Sequence, residues 1–407
     1  MKYFKNTELA KLYNVSEKSV RNWIQAAIDG KLDLILFREK SKPYIANTTT
    51  NLATIEQLVL KGKKYKNRRA FKSVAPSQKF YELYTPQQLL DIVSNLDIHR
   101  EIPYQYTYFN GGATYWDEYA QKLLHEKVTN SVNGTIKLLD SSRKYIDDIV
   151  ADYKSVNIID VGVGNCLPVK DLLQHTLNKG VLKRYIGIDL SNELLNIAEQ
   201  NIHSWFGKQI KFEKYVRDIN YERFYDLLVE ESFLGESNSS LNIVLFLGGT
   251  ISNLREPDQT LRNINASMGR NDLFIMTRKL DTERARRHFD FSVEENDMSL
   301  APQDKFILDL LNVDHSFYTI EQFFDENTRS RVIQAKLKID LSINFEFENY
   351  RKTIELNKGE NILIWRSQHQ NMAEVLEQFE KNSFTTLQAA KTKDQEYSIF
   401  ISKLTTS

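Results

Sequence analysis

Between residues 156 and 277 the chain alternates short apolar runs with amphipathic stretches. The runs lie at 156–161, 185–189, 210–215, 241–247 and 272–277. At five to seven residues they are too short for buried helices, and near-continuous apolar character marks strands covered on both faces. The stretches between them carry 3–4 spacing and helix-start signals, such as Ser191 ahead of Asn-Glu-Leu-Leu-Asn-Ile-Ala. Strand–helix alternation of this kind predicts an α/β fold with a Rossmann-like, doubly wound sheet. Upstream, 80–95 reads as a helix with Leu83, Leu89, Leu90 and Val93 inward, and 116–124 and 132–149 read as two more. The aromatic-rich stretch 103–116 reads as a loop placed to cover a ligand pocket, or as ordinary packing.

The first seventy residues follow a different pattern. Leu9, Ala10 and Leu12 give a short helix an apolar face, Asn14 permits a tight turn, and Val15 plugs the corner. Ser16 caps a second helix on which Val20, Trp23, Ile24 and Ala27 point inward. Lys18, Arg21, Asn22 and Gln25 then face outward. Residues 34–45 read as a hairpin with a basic tip at Lys40 and Lys42, and a third helix opens near Asn51. Two short helices joined by a turn, followed by a hairpin, resemble a winged helix-turn-helix of the MerR or excisionase kind. The reading is a small N-terminal winged helix-turn-helix domain over 1–69, a linker and helix over 70–98, and the α/β domain over 99–407.

Charge sharpens this division. The net charge is zero, yet residues 1–75 hold sixteen Lys and Arg against six Asp and Glu, leaving 38 against 48 for the rest. A basic head on an acidic body points to a polyanion as the head's partner, with Lys18, Arg21, Asn22, Lys40 and Lys42 as candidate DNA contacts. The run 61–69 adds phosphate-tracking cations, and Tyr65 could stack on a base. A three-helix adaptor with a solvated basic face is the competing reading. The 41% hydrophobic and 27% charged content is that of a globular chain. With no apolar run of 18 residues and no signal-peptide core, no membrane partner is expected and the placement is cytoplasmic. One cysteine, Cys166, excludes an internal disulfide framework, and seven scattered histidines without an H-x-x-x-H pair offer no metal site. Helix-turn-helix proteins commonly pair, but no dimerisation helix stands out.

Candidate chemistry concentrates at the ends of the predicted strands. Residues 157–165 read Asn-Ile-Ile-Asp-Val-Gly-Val-Gly-Asn, so an apolar run ends in Asp160 and turns through Gly162 and Gly164. The second strand ends in Asp189, where a carboxylate can accept both hydroxyls of a ribose. The third is followed by Asp218, within reach of an adenine amino group, and the fourth runs into 248–254, Gly-Gly-Thr-Ile-Ser-Asn-Leu. The glycine loop is shorter than the dinucleotide fingerprint. The stretch 278–287 reads as a solvated helical face.

The ordered set Asp160, Gly162, Gly164, Asp189, Asp218 resembles the S-adenosylmethionine-dependent class I methyltransferases, which implies S-adenosyl-L-methionine held by those residues and Gly248. Residues 246–254, Phe-Leu-Gly-Gly-Thr-Ile-Ser-Asn-Leu, resemble the "GSTIGN" segment of the histidine Nα-methyltransferase family of the ergothioneine pathway. The likeness runs over roughly 100–404 and leaves the head outside. It implies that Asn253 contacts the amino-acid end of the acceptor, with Thr250 shaping the loop; a turn asparagine capping its own loop is the alternative. The chain departs from the family at 364–369, Ile-Trp-Arg-Ser-Gln-His, where Trp365 replaces an imidazole-reading glutamate while Ser367 matches the family's serine. Trp365 and Ser367 are thus pocket candidates, or plain strand packing, and the acceptor becomes a small amine or amino acid rather than specifically histidine. Two further readings stay open: a DNA-binding regulator whose methyltransferase-like domain senses the cofactor, and a nucleic-acid methyltransferase delivered by its head.

Overall fold

Asn14 turns the chain at a left-handed φ of 50° and Ser16 starts the next helix by accepting from the Ser19 N–H at 3.2 Å. These two residues set the architecture of the first of two units, Met1–Phe71. In the computed structural model, residues 3–66, 71–228, 240–287 and 302–405 are described. Helices Asn6–Leu12 and Glu17–Ile28 flank the turn. Val20 and Ile24 are buried, and Lys18, Arg21, Asn22 and Gln25 are exposed. Leu12, expected inward, is 62% exposed; Leu9 and Ala10 alone cover that side of the core. A short strand β1 (Tyr3–Phe4), not foreseen, pairs with the hairpin of β2 (Leu36–Glu39) and β3 (Lys42–Ala46). The tip Lys40–Ser41 has φ of 45° and 66°, the two left-handed residues that a tight hairpin turn matching the strand twist requires. Helix Thr49–Lys66 follows, and the buried Asn51 side chain clamps it to the hairpin. Its Oδ1 accepts from the Ile35 N–H, and its Nδ2 donates to the Ile35 and Ala46 carbonyls, each at 2.8 Å. The side chains of the 61–69 run, Tyr65 among them, lie outside the described residues.

The second unit, Lys72–Ser407, opens with a surprise. The expected linker contains a strand, β4 (Lys72–Val74). Three residues carry no readable period, and the partner strand lies some 270 residues away. Helices Gln78–Leu83 and Pro86–His99 replace one expected helix, split where Thr85 caps and Pro86 takes the first helical position. The aromatic stretch forms a 3-10 turn, Tyr104–Tyr108, then helix Gly112–Leu124, and Ser131–Val150 follows.

The sheet proper consists of β5 (Ser155–Val161), β6 (Leu182–Asp189), β7 (Phe212–Val216), β8 (Ser240–Phe246) and β9 (Leu273–Lys279). An insertion of five strands comes next: β10 (Tyr318–Asp325), β11 (Ser330–Leu337), β12 (Leu341–Phe347), β13 (Tyr350–Leu356) and β14 (Asn361–Gln368). Then β15 (Phe384–Lys391) and β16 (Tyr397–Leu404) return to the sheet. The seven strands order as β15-β16-β9-β8-β5-β6-β7, with β5 to β9 parallel and β15 and β16 antiparallel at one edge. Counting β5 as first, the parallel part reads 3-2-1-4-5, and the order reverses between β5 and β8. The insertion makes two three-stranded sheets, β10-β11-β14 and β13-β12-β4. Their core joins helix Pro86–His99 through Leu89, Ile92, Val93 and Leu96. Among the described residues no helix is long and apolar enough to cross a membrane.

Only the helical end of the stretch 278–287 is a solvated face: Glu283, Arg284 and Arg287 are exposed, whereas Arg278, Lys279 and Leu280 are buried in or beside β9. Arg278 ends β9 at 1% exposure, held by Gln370 Oε1 at 2.5 Å and Gln378 Oε1 at 3.2 Å, and burial lowers its guanidinium to about 10. Only Glu283–Arg287 is helical.

Gly187 on β6 faces the Phe212 ring, whose Cζ would stand 2.5 Å from an added Cβ. Overpacking a filled core costs about 1–3 kcal/mol. We therefore expect Gly187→Ala to lower unfolding stability by about that amount in a denaturant titration.

Candidate active site

The reversal of strand order opens a crevice at the carboxyl ends of β5 and β8. The cavity there has an empty volume of about 980 Å³, open solvent included. Gly162, Gly164, Asp189, Asp218, Gly248 and Thr250 all line it, as do the apolar Val163, Leu190, Leu194, Ile219 and Leu247. The sequence-derived candidates thus converge, although they span some ninety residues.

The floor is the loop after β5. Gly162 and Gly164 take φ of 69° and 54°, a region where side-chain-bearing residues are strained. Asp189 fixes this loop: its Oδ2 accepts from the Gly164 N–H at 3.2 Å and its Oδ1 from the Ser191 N–H at 3.0 Å. Burial nevertheless outweighs these bonds and raises its carboxyl to about 6. Asp218 is raised to about 6 as well, first by burial, and accepts from the Asn220 N–H at 3.0 Å. Gly248, at φ 78°, donates its N–H to Thr277 Oγ1 at 2.9 Å, which anchors the loop after β8.

Asp160 is placed differently from the other candidates. It lies behind the glycine loop at 2% exposure and outside the cavity wall. The Tyr185 hydroxyl sits 3.0 Å from Asp160 Oδ2 and 3.2 Å from Cys166 Sγ. Burial lifts Asp160 to about 8. Its position supports the loop from beneath.

The aromatic stretch reaches the cavity through Gln105, Tyr108 and Trp116. The Trp116 Nε1 would lie 3.5 Å from a Cβ on Gly164, ordinary van der Waals contact, so the indole packs over the loop. Three contacts invisible in the sequence pattern hold this cover. Asn165 Nδ2 donates to Asp117 Oδ1 at 2.7 Å; Glu193 accepts from the Asn110 and Gly111 N–H groups at 3.1 Å each; and the Ser191 hydroxyl donates to the Tyr108 carbonyl at 3.0 Å. An acid in the first turn of a helix, as Glu193 is, was the one available signal.

Asn253 lines a second, neighbouring cavity with Asp91, Glu101, Tyr104, Tyr221 and Arg255. The two cavities share Gln105, Asn220 and Leu254. Asp91 is occupied: the hydroxyls of Tyr106 and Tyr221 donate to it at 2.9 and 2.7 Å, and Asn95 Nδ2 at 3.0 Å. Trp365 and Ser367 line neither cavity. Trp365 is 5% exposed within the insertion core, and Ser367 Oγ lies 3.3 Å from His369 Nε2. Their strand β14 does pack against the short helix Thr250–Asn253.

A parallel sheet with this strand order, a glycine-floored crevice and two acids at successive strand ends define a nucleotide-type ligand site. The family model described as "Histidine-specific methyltransferase, SAM-dependent" matches residues 90–404. The chain belongs to that family and is an S-adenosylmethionine-dependent methyltransferase. The comparison with curated proteins gives no match. Among solved structures, an S-adenosylmethionine-dependent methyltransferase from Clostridium acetobutylicum is 13% identical over 72% of this chain and 99% of its own, at a TM-score of 0.38. The magnesium protoporphyrin IX methyltransferase of Synechocystis, with bound SAH, is 11% identical over 72% and 97%, also at 0.38. The CcbJ methyltransferase of Streptomyces caelestis is 14% identical over 72% and 98%, at 0.35. At such scores the assignment rests on the family match.

The cavity suits the cofactor: side-chain-free glycines allow close approach, the carboxylates can accept hydroxyl and amino protons, and apolar walls can flank an adenine. Two outcomes follow. Ionised carboxylates are the stronger acceptors and protonation gives up acceptor capacity, and burial pushes both carboxyls up to about 6. Affinity for S-adenosylhomocysteine should therefore be flat above about pH 7 and weaken as pH falls through 6, by calorimetry; constant affinity down to pH 5 would count against these acceptors. Gly162→Ala should weaken the same binding, since its Cβ needs a φ that costs an L-residue about 1–2 kcal/mol.

Proposed function

We propose that the protein transfers a methyl group to a nitrogen of a small amine or amino-acid acceptor. The observation carrying this reading is the adjacency of the two cavities: the glycine-floored one shares Gln105, Asn220 and Leu254 with the polar one that holds Asn253. In this reading Asp189 accepts the ribose hydroxyls, Asp218 the adenine amino group, and Gly162, Gly164 and Gly248 give the cofactor room. Asp160 acts through the loop it supports. The bound cofactor supplies an electrophilic methyl on a sulfonium. The acceptor nitrogen's lone pair forms the new N–C bond as the C–S bond breaks, and sulfur keeps the electron pair. Asn253 orients the acceptor, Thr250 shapes the wall, and Tyr108 and Trp116 exclude water. Alignment of this kind, rather than strong acid–base catalysis, supplies the rate. Trp365 and Ser367 act only through β14, by supporting the Thr250–Asn253 segment.

The head reads as a winged helix-turn-helix that binds DNA. Exposed Lys18, Arg21 and Asn22 on the second helix, with Lys40 and Lys42 at the hairpin tip, support this reading. The fit is to a helix in the major groove with a basic wing on the backbone.

Incubation with methyl-labelled cofactor and a panel of amines should label small amines, and Asn253→Ala should cut kcat/KM by tenfold or more. Tight cofactor binding without transfer to any acceptor would instead favour a sensor, and transfer to nucleic acid alone a delivered nucleic-acid enzyme. For the head, fluorescence anisotropy on duplex DNA should show binding that weakens with salt and is reduced in Lys18→Ala/Arg21→Ala. No binding at low salt would remove the DNA reading.

A further inference from the structure

Arg255 follows the Thr250–Asn253 helix and lines the polar cavity beside Asn253. Its side chain is 31% exposed, and its two ion pairs are loose: Nη1 lies 3.5 Å from Glu101 Oε2, and Nε lies 3.7 Å from Glu256 Oε1. Glu256 is 74% exposed, so that pair is screened by water. Glu101, at 7% exposure, is already claimed: Arg366 Nη2 sits on the same Oε2 in closer contact. Two guanidiniums therefore share one carboxylate oxygen, and the one facing the cavity is the looser partner. The acid elsewhere on this wall, Asp91, already accepts from two tyrosine hydroxyls and an amide. Positive charge on the wall is reflected in His99: burial first, then Arg255 and Arg366, hold its imidazole below the usual range.

We propose that Arg255 is the specificity-determining residue that reads a carboxylate on the methyl acceptor. This rests on the amine-acceptor reading above and adds a second group to the substrate. The acceptor would be an amine that also bears a carboxylate. The guanidinium fork pairs bidentately with the carboxylate, a match no single ammonium provides. Glu101, itself fixed by Arg366, is a positioning residue that holds the fork toward the cavity. Asn253, two positions earlier in the chain and lining the same cavity, would then meet the amine end, with Leu254 between them lining both cavities.

The test uses the full chain and matched acceptors: free L-amino acids, the corresponding L-amino-acid amides, and amino sugars lacking a carboxylate. Transfer of labelled methyl should favour the acids. Arg255→Gln should raise KM for the preferred acid by roughly ten- to hundred-fold, the worth of one charged pair, with little change in kcat. Arg255→Lys should recover part of that loss. Wild-type affinity for S-adenosylhomocysteine in both variants would show that the fold survives. Amides or amino sugars accepted as well as acids, or an Arg255→Gln KM equal to wild type, would overturn the assignment while leaving amine methylation standing. Transfer to no member of the panel would overturn both.

Discussion

The pair of hydrogen bonds that Asp189 accepts, from Gly164 and from Ser191, is the constraint on which the site depends. One carboxylate ties the loop after β5 to the helix start after β6. It thereby fixes the glycine floor, the cap of helix Asn192–Phe206 and, through the Ser191 hydroxyl, the Tyr108 carbonyl of the aromatic cover. The same carboxylate faces the cavity, and burial raises it toward neutrality. A partly desolvated acid that still has acceptor capacity is poised to take hydroxyl donors from a ligand. In the proposed reading, structural anchor and binding group are one side chain.

Around this anchor the molecule divides its work. The central parallel strands β5, β8 and β9 bury almost every side chain and give the crevice its floor. Helix Pro86–His99, the segment that leads into the aromatic turn, and the loops after β7 and β8 build the second cavity, where the polar groups concentrate. In the proposed reading the acceptor is selected by what the segment after helix Pro86–His99 and the loop after β8 present, and Glu101 and Arg255 come from those two sources.

The parts legible in the sequence were those governed by local period and local chemistry. The five apolar runs became β5 to β9, Ser16 and Ser191 became caps, and the glycine turn took left-handed backbone. Non-local pairings left no such mark. The strand β4 is three residues long and is defined only by β12. The insertion strands differ widely in burial, from β11, buried at seven of eight positions, to β10, buried at one, so no common alternation marks them. Arg278 looked like a solvent charge because sequence cannot show that Gln370 and Gln378 close over it. Asp160 and Asp189 both end apolar runs, yet one points beneath the loop and the other across it. Trp365 was visible as a departure from the family's glutamate, but its burial away from both cavities depends on how the insertion folds.

Calorimetric titration of S-adenosylmethionine and S-adenosylhomocysteine into the wild-type chain and into Asp189→Ala tests the account most directly. The account predicts one saturable site in the wild type, and an affinity at least tenfold weaker in the variant, consistent with roughly 1.5–3 kcal/mol for a hydrogen bond to a charged group. Far-ultraviolet circular dichroism should be unchanged by the substitution. No binding to the wild-type chain, or equal affinity in a folded variant, would contradict it.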